Sequence, residues 1–391
     1  MSLISLDEAW TIIASVAEPL ERESVRLEDA AGRVLAAPVL AAFDSPRSDV
    51  SMMDGYAVRG AGQRFRLIGT SAPGKRFTRA LDAGEAVRIF TGAAVPEGAD
   101  RVIIQEHLTA EAGLVTSADT SGAASFIRRQ GSDFPAGDEV LSGGTLLTPG
   151  ALVAAAGAGA GQLVVSRRPR VVTIATGDEI RPLGATLGAD HIPDSIAPGL
   201  AAIIAATGAH VVGQHLLGDD LAALGTAAAS AVASCDLVVV TGGASVGARD
   251  HAKAMFAPLG MDILFSKVAI KPGKPVWLGR VGETFVMGLP GNPSSAMVTA
   301  RLLLEPLLAA LLGRKYPPVI EWVGFPLSAA LQPTDDRETF VRATLDGNGL
   351  LPIGNQDSGG QKALGVARWL IRCPAGQGEL PIGTMVKALA F

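Results

Sequence analysis

Apolar positions along this chain change their period several times, and each change predicts a different kind of structure. Residues 5 to 18 recur at helical spacing and open with Ser5-Leu6-Asp7-Glu8, an N-cap serine with a glutamate three positions on. Residues 24 to 66 then break into short extended runs punctuated by Pro and Gly. From 48 to 133 the pattern is β-like, with Glu85-Ala86-Val87-Arg88-Ile89 and Arg101-Val102-Ile103-Ile104 expected as half-buried strands. A helix is expected again after Thr148-Pro149, which suit an N-cap and first helical residue, and Gly157 to Gly161 suit its end.

Beyond Arg167-Arg168-Pro169 the pattern becomes one of buried strands and covering helices. Apolar runs at Val171 to Ala175, His210 to Leu217 and Leu237 to Val240 alternate with Ala/Leu-rich stretches at 199 to 207, 220 to 233 and 295 to 312. That alternation predicts a parallel sheet covered on both faces. From Lys315 onward short alternating runs predict a small β domain. The expected architecture is therefore multidomain α/β. It has a discontinuous helical domain (1–47 and 134–167), an inserted β-rich domain (48–133), a three-layer α/β domain (168–314) and a C-terminal β domain (315–391).

Composition narrows the class. A chain of 391 residues exceeds what one hydrophobic core usually serves, and 48% hydrophobic with 18% charged residues is ordinary for a globular protein. The nearly uncharged stretch Ile196 to Gly213 is cut by Pro198 and Gly208, so it reads as helix then strand and no membrane span is expected. The opening residues lack a basic leader, which predicts a cytoplasmic protein. Cys235 and Cys373 are too few for a disulfide framework or a four-thiolate metal site. A net charge of −5 exerts no long-range pull on nucleic acid, so any anionic ligand must be held by local groups.

Ligands of open α/β sheets bind beyond the carboxyl ends of the strands. Three such ends carry unusual residues: Thr176-Gly177-Asp178-Glu179, Thr241-Gly242-Gly243-Ala244-Ser245-Val246-Gly247 with Asp250, and Gly288-Leu289-Pro290-Gly291-Asn292-Pro293-Ser294-Ser295. The second reads as a phosphate cradle, because glycines between a strand and a helix let backbone N–H groups converge on an anion; a ligand-free turn is the alternative. Ser294 offers a hydroxyl at a helix start, or is simply a good N-cap. Lys271-Pro272-Gly273-Lys274-Pro275 sets two ammonium groups around a turn, suited to an oxyanion or merely solvated. Asp178, Glu179, Asp219 and Asp250 are caps if taken singly. Together on one rim beside an anion they call for a hard cation, and Mg²⁺ is the natural choice, with Glu179 and Asp250 as its ligands.

Two rival motifs fail. Gly243 to Gly247 spells the G-x-S-x-G elbow, but only His251 follows Ser245 and no acid on another strand fits between them. Gly157 to Gln162 misses the last glycine of G-x-G-x-x-G.

Taken in order, the motifs resemble the molybdopterin molybdenumtransferase family, MoeA and the corresponding domain of gephyrin. Met53-Asp54-Gly55-Tyr56-Ala57, Thr91-Gly92-Ala93, Gly98-Ala99-Asp100, Gln105-Glu106, and Arg128 with Gly131 and Asp133 carry it early. Thr176 to Glu179, Thr241 to Asp250, Lys271 to Pro275 and Gly288 to Pro293 continue it. The resemblance implies a homodimer that converts adenylylated molybdopterin and molybdate into molybdenum cofactor with release of AMP. The adenylyltransferase that makes its substrate and the acceptor molybdoenzymes are implied as further partners. Asp54, Asp133, Glu179, Asp219 and Asp250 are then expected as catalytic residues. Thr91, Arg128, Thr176, Gly177, Asp178, Gly242, Gly243, Ser245, Gly247, Lys271, Lys274, Pro290, Gly291, Asn292, Ser294, Arg342 and Ser358 are expected to bind substrate. Val50, Met52 and Ile196 depart from the family pattern, which leaves open a paralogue with altered substrate contacts, such as one serving tungstate. An adenylyltransferase or a non-catalytic pterin-binding scaffold are the alternatives.

Overall fold

The computed structural model describes residues 3–118, 125–243, 251–315 and 318–391. Its largest core is built on a six-stranded sheet in the order His210–Leu217, Arg170–Thr176, Leu237–Thr241, Thr284–Leu289, Trp277–Val281, Asp262–Phe265. The first four strands run parallel. The last two are antiparallel, so the sheet is mixed and the all-parallel expectation is corrected. The reason is a tight hairpin: Val281 faces Thr284 across Gly282-Glu283, with Gly282 at φ +55°.

Strand alternation divides the apolar side chains between two faces. Leu237, Val239, Met287 and Leu289 pack against Leu200 and Ile204 of the Ile196–Ala206 helix and Val298 and Leu302 of the Pro293–Leu311 helix. Val238, Val240, Val172 and Ile174 pack against Leu224, Ala228 and Ala231 of the Leu221–Ser234 helix. Pro293–Leu311 is long and apolar enough to cross a membrane by length and composition, but most of it is buried as a core helix.

The first helix, Leu6–Val16, has the expected capping box between Ser5 and Glu8. Its partner is not the expected one. Leu6, Ala9 and Ile13 enter the core of the six-stranded sheet, and the Trp10 indole N–H donates to Leu302 O at 2.7 Å. Residues 1–47 therefore do not pack as one unit with 134–167. What does pack there is two paired segments, Arg22–Arg26 with Gln162–Ser166 and Val39–Leu40 with Glu139–Leu141, under the Pro149–Gly157 helix. That helix starts at the Thr148 N-cap, as its sequence predicts.

Between the two halves of that unit lies a second six-stranded sheet, in which Gly55–Val58 is flanked by Arg101–Ile104 and Glu85–Ile89. A third sheet closes the chain. Its edge strand, Ile270–Lys271, comes from the region before the long helix and pairs in parallel with Glu338–Asp346. This register carries the lysine turn to the seam between two sheets.

The Trp277–Val281 hairpin gives a test of packing. A Cβ at Gly288 would fall 2.0 Å from the fully buried Trp277 ring. Gly288→Ala should therefore destabilise the fold by about 1–3 kcal/mol, read as a lower urea midpoint; an unchanged midpoint would show that the indole can shift.

Candidate functional site

The carboxyl ends of three neighbouring strands meet at backbone contact distance. Gly242 and Gly243 follow the Leu237–Thr241 strand at φ +85° and +62°, a region that favours glycine. A Cβ at Gly242 would lie 2.1 Å from the Thr176 carbonyl, and one at Gly291 would lie 3.3 Å from the Gly242 Cα. These glycines are what let the Arg170–Thr176, Leu237–Thr241 and Thr284–Leu289 strand ends converge. Thr176 is buried and its hydroxyl has no hydrogen-bond partner among the described residues, although it lies beside Gly243. An orphaned buried hydroxyl next to a turn of positive-φ glycines is what an anion cradle requires. Ser245, Gly247 and Asp250 lie outside the described residues.

The acids stand along one edge of this convergence. Gly177, at φ +151°, has the Glu179 carboxylate so close that a Cβ would meet it at 2.7 Å. Asp178 Oδ1 accepts the Asp219 N–H at 3.0 Å, tying the end of one strand to the end of the next. Asp178 thus acts partly as a turn brace. The carboxylates of Glu179 and Asp219 meet no donor among the described residues. Among those residues no group of three His, Cys, Asp or Glu side chains forms a metal cluster.

The long helix begins beside the cradle, and the third sheet's loop is latched onto its first turn. Ser294 N–H donates to Ser358 O at 3.0 Å, its hydroxyl to Gly360 O at 2.8 Å, and the Asn292 amide to Ser358 Oγ at 3.0 Å. Ser294 is fully buried, and both its N–H and its hydroxyl bond within the protein. Arg342 is also held within the protein. Its side chain is wholly buried and braces the loop, with Nη2 donating to Asn355 O at 3.3 Å and Asp357 O at 3.1 Å. Burial holds its guanidinium below the usual arginine value, and Nη1 has no partner among the described residues.

Against this loop opens a cavity of about 770 Å³ lined by Lys271, Lys274, Arg337, Thr339, Gln356 and Ser358. Gly273, at φ +115°, forms the turn between the lysines, where a Cβ would strike Thr299 at 2.3 Å. Lys271 pairs with Asp335 at 2.9 Å, and both side chains are substantially exposed. Arg337 is a cation the sequence reading missed; its sign was the run of charge before the Glu338–Asp346 strand.

Asp54 and Thr91, assigned separate roles from sequence, form one unit. Thr91 donates its N–H at 2.7 Å and its hydroxyl at 2.8 Å to the same Asp54 oxygen. The backbone N–H, then the hydroxyl, hold the Asp54 carboxyl below its usual value, with a smaller pull from Arg88. Arg88 lies over the Tyr56 and Phe90 rings at 4.9 and 5.3 Å and donates to Gln105. Strand alternation with buried Val87 and Ile89 was the sequence signal for an outward Arg88. Glu106 accepts from Gln105 at 3.3 Å. Arg128 and Asp133 face each other at 3.9 Å, farther along the same module.

Residues 4–159 match the MoeA N-terminal region (domain I and II), and residues 172–310 match a probable molybdopterin binding domain. A molybdopterin molybdenumtransferase of Haemophilus influenzae is 36% identical across 80% of this chain and 79% of its own. Molybdopterin molybdenumtransferase 2 of Mycobacterium tuberculosis is 33% identical across 98% of both chains. The molybdopterin biosynthesis MoeA protein of Pyrococcus horikoshii superimposes with a TM-score of 0.79 at 28% identity, covering 100% of this chain and 99% of that one.

The Asp54 and Thr91 pair allows a direct check. Thr91→Val keeps the backbone N–H and removes the hydroxyl. The Asp54 pKa should rise toward, but not reach, the ordinary carboxylate value, as read by NMR titration. No movement would mean that the hydroxyl bond contributes nothing.

Proposed function

Since this chain belongs to the molybdopterin molybdenumtransferase family, we propose how its own residues carry out the family's reaction. It inserts molybdenum during molybdenum cofactor biosynthesis, with molybdopterin and molybdate as substrates. The finer reading is that molybdopterin arrives adenylylated and that AMP leaves as the metal enters. The observation that carries it is the orphaned Thr176 hydroxyl beside Gly242 and Gly243, a donor set shaped for a phosphate.

In this reading the N–H groups of Gly242 and Gly243 and the Thr176 hydroxyl hold the diphosphate that links pterin and adenylate. Lys271, Lys274 and Arg337 line the adjoining cavity and hold molybdate as an oxyanion, beside Ser358. Soft sulfur ligands for molybdenum come from the substrate's dithiolene, because both cysteines of the chain are buried. Burial also pushes both thiols up to about 11, away from the thiolate form.

Mg²⁺ fits the donor chemistry of the rim. Glu179 and Asp219 present hard carboxylate oxygens there, and Mg²⁺ commonly takes one or two carboxylates and completes its shell with water and substrate phosphate. Bound there, it would neutralise charge on the phosphates as AMP departs. Glu179 would hold it with Asp250, which lies outside the described residues, and with Asp219 on the same rim, while Asp178 fixes the relation between the two strand ends. Asp54, kept ionised by Thr91, would be supplied by the second subunit of a homodimer, so that each site is composite.

The deciding experiment is incubation with adenylylated molybdopterin, Mg²⁺ and molybdate, following AMP and cofactor together. Cofactor without AMP release would remove the adenylate reading, and neither product would overturn the assignment of activity. Lys274→Ala should weaken molybdate binding about tenfold, the loss of one charge-assisted hydrogen bond, and the loss should shrink at high salt. Wild-type affinity would return Lys274 to a solvated turn. Random reassembly of Asp54→Ala with Glu179→Ala subunits should restore roughly a quarter of wild-type activity, because half the dimers are mixed and half their sites intact. Continued inactivity with confirmed exchange would place each site within one chain.

A further inference from the structure

The β module that carries Asp54 and Thr91 is joined to the rest of the chain by two crossings, residues 44 to 50 and 128 to 136. Their backbones pair. Ser45 N–H donates to Phe134 O at 2.8 Å, Asp133 N–H to Ser45 O at 2.9 Å and Gly131 N–H to Pro46 O at 3.0 Å. Apolar packing stops on either side of this neck. Phe134 packs with Leu35, Val39 and Leu163, whereas Ile127 packs with Ala57, Ile89 and Val102 in the module. Between these clusters the crossings are Asp44-Ser45-Pro46-Arg47-Ser48-Asp49 and Arg128-Arg129-Gln130-Gly131-Ser132-Asp133.

Two carboxylates span the neck instead. Asp44 accepts from the Ala136 N–H at 2.7 Å and from the Gln130 side-chain amide at 2.6 Å. Asp49 accepts from the Gln130 N–H at 2.8 Å and from Arg129 at 2.5 Å. Both oxygens of both acids are used, and Gln130 donates to both acids, so it staples them together. The Gln130 amide, then the Ala136 N–H, also hold the Asp44 carboxyl below its usual value. The Arg129 pair is exposed and adds little stability. Hydrogen bonds to a carboxylate are nonetheless short and directional, so together they fix the angle between the crossings where no core does so.

We infer that Asp44 and Asp49 are positioning residues for the reaction: they set the direction in which the module presents Asp54 and Thr91 to the strand-end site. This rests on the reading of Asp54 and Thr91 as parts of that site. Asp133, expected as catalytic from resemblance, sits on the same neck, 3.5 Å from the Ser45 hydroxyl and 3.9 Å from Arg128. A displacement of about 1 Å at reacting groups costs on the order of a hundredfold in rate, so a loosened neck should be visible in turnover before it is visible in folding.

The test compares full-length Asp44→Ala, Asp49→Ala, Gln130→Ala and Asp44→Asn proteins, with Asp54→Ala as control. Each is assayed for AMP release from adenylylated molybdopterin with molybdate, and for its thermal midpoint. The alanine variants should lose about 10- to 100-fold in kcat while KM stays within about twofold. Their midpoints should move by only a few degrees. Asp44→Asn, which keeps an acceptor for the Ala136 N–H, should recover part of the loss. Wild-type kcat in the Asp44 and Asp49 variants, with Asp54→Ala inactive, overturns the clasp and leaves the site reading standing. Activity in Asp54→Ala overturns both. A fall in kcat that tracks a collapsed midpoint, with no recovery in Asp44→Asn, assigns the acids to folding alone and also overturns the inference.

Discussion

The site depends on how closely two backbones approach. With a Cβ 2.1 Å from the Thr176 carbonyl, position 242 admits no side chain unless the sheet splits, and its φ of +85° argues for glycine independently. That single approach draws the turn after Leu237–Thr241 over the end of Arg170–Thr176, where the Thr176 hydroxyl is buried without a partner among the described residues. Gly291 leans on Gly242 in turn, so the start of the long helix is placed by the same contact. A core of Val, Ile and Leu makes the sheet stable; glycine at its rim lets its strand ends close on one another.

The second constraint is the seam between the α/β sheet and the C-terminal sheet. Ile270–Lys271 is hydrogen-bonded into the latter, while Asn292 and Ser294 are bonded to its Ser358–Gly360 loop. Arg342 braces that loop from beneath, wholly buried. Removing a buried arginine from its carbonyl partners is costly because they stay desolvated, so Arg342 helps to hold the Asn355–Ser358 loop near the lysine turn. The cavity thus opens at a seam closed by polar contacts at its rim, while Phe340, Leu370 and Leu389 of the C-terminal sheet share the core of the α/β sheet behind it.

What was legible in the sequence follows from range. Strands such as Leu237–Thr241 are continuous β-branched runs, and helices such as Pro149–Gly157 declare their caps locally. The hairpin that turns the sheet mixed was also local, since Gly282-Glu283 sits between two apolar runs, but it was read through the dominant parallel pattern. Leu6–Val16 shows the opposite case. Period and capping box predict a helix, yet nothing within its eleven residues says that Leu6, Ala9 and Ile13 face a sheet more than 150 residues away. Ser294 was a good N-cap candidate by type, but its true partner, Gly360, is 66 positions on. The glycines and acids of the strand ends were legible because their chemistry is unusual for their place; the bonds among them, such as Asp178 to Asp219, were not.

This difference in range also separates stability from function in the molecule. Asp54 and Thr91 belong to a module with its own apolar clusters, and the glycine cradle belongs to a sheet with another. Neither core has any energetic stake in where the other's polar residues point. A reaction that needs groups from both must therefore obtain its geometry from the connections: the neck at residues 44–50 and 128–136, the seam at Ser358, or the pairing of two chains. At the neck these connections are hydrogen bonds between exposed or half-exposed groups, which contribute little to folding free energy yet decide orientation. Substitutions there should be selected on activity long before they are felt in stability, which is the reverse of what a core position experiences.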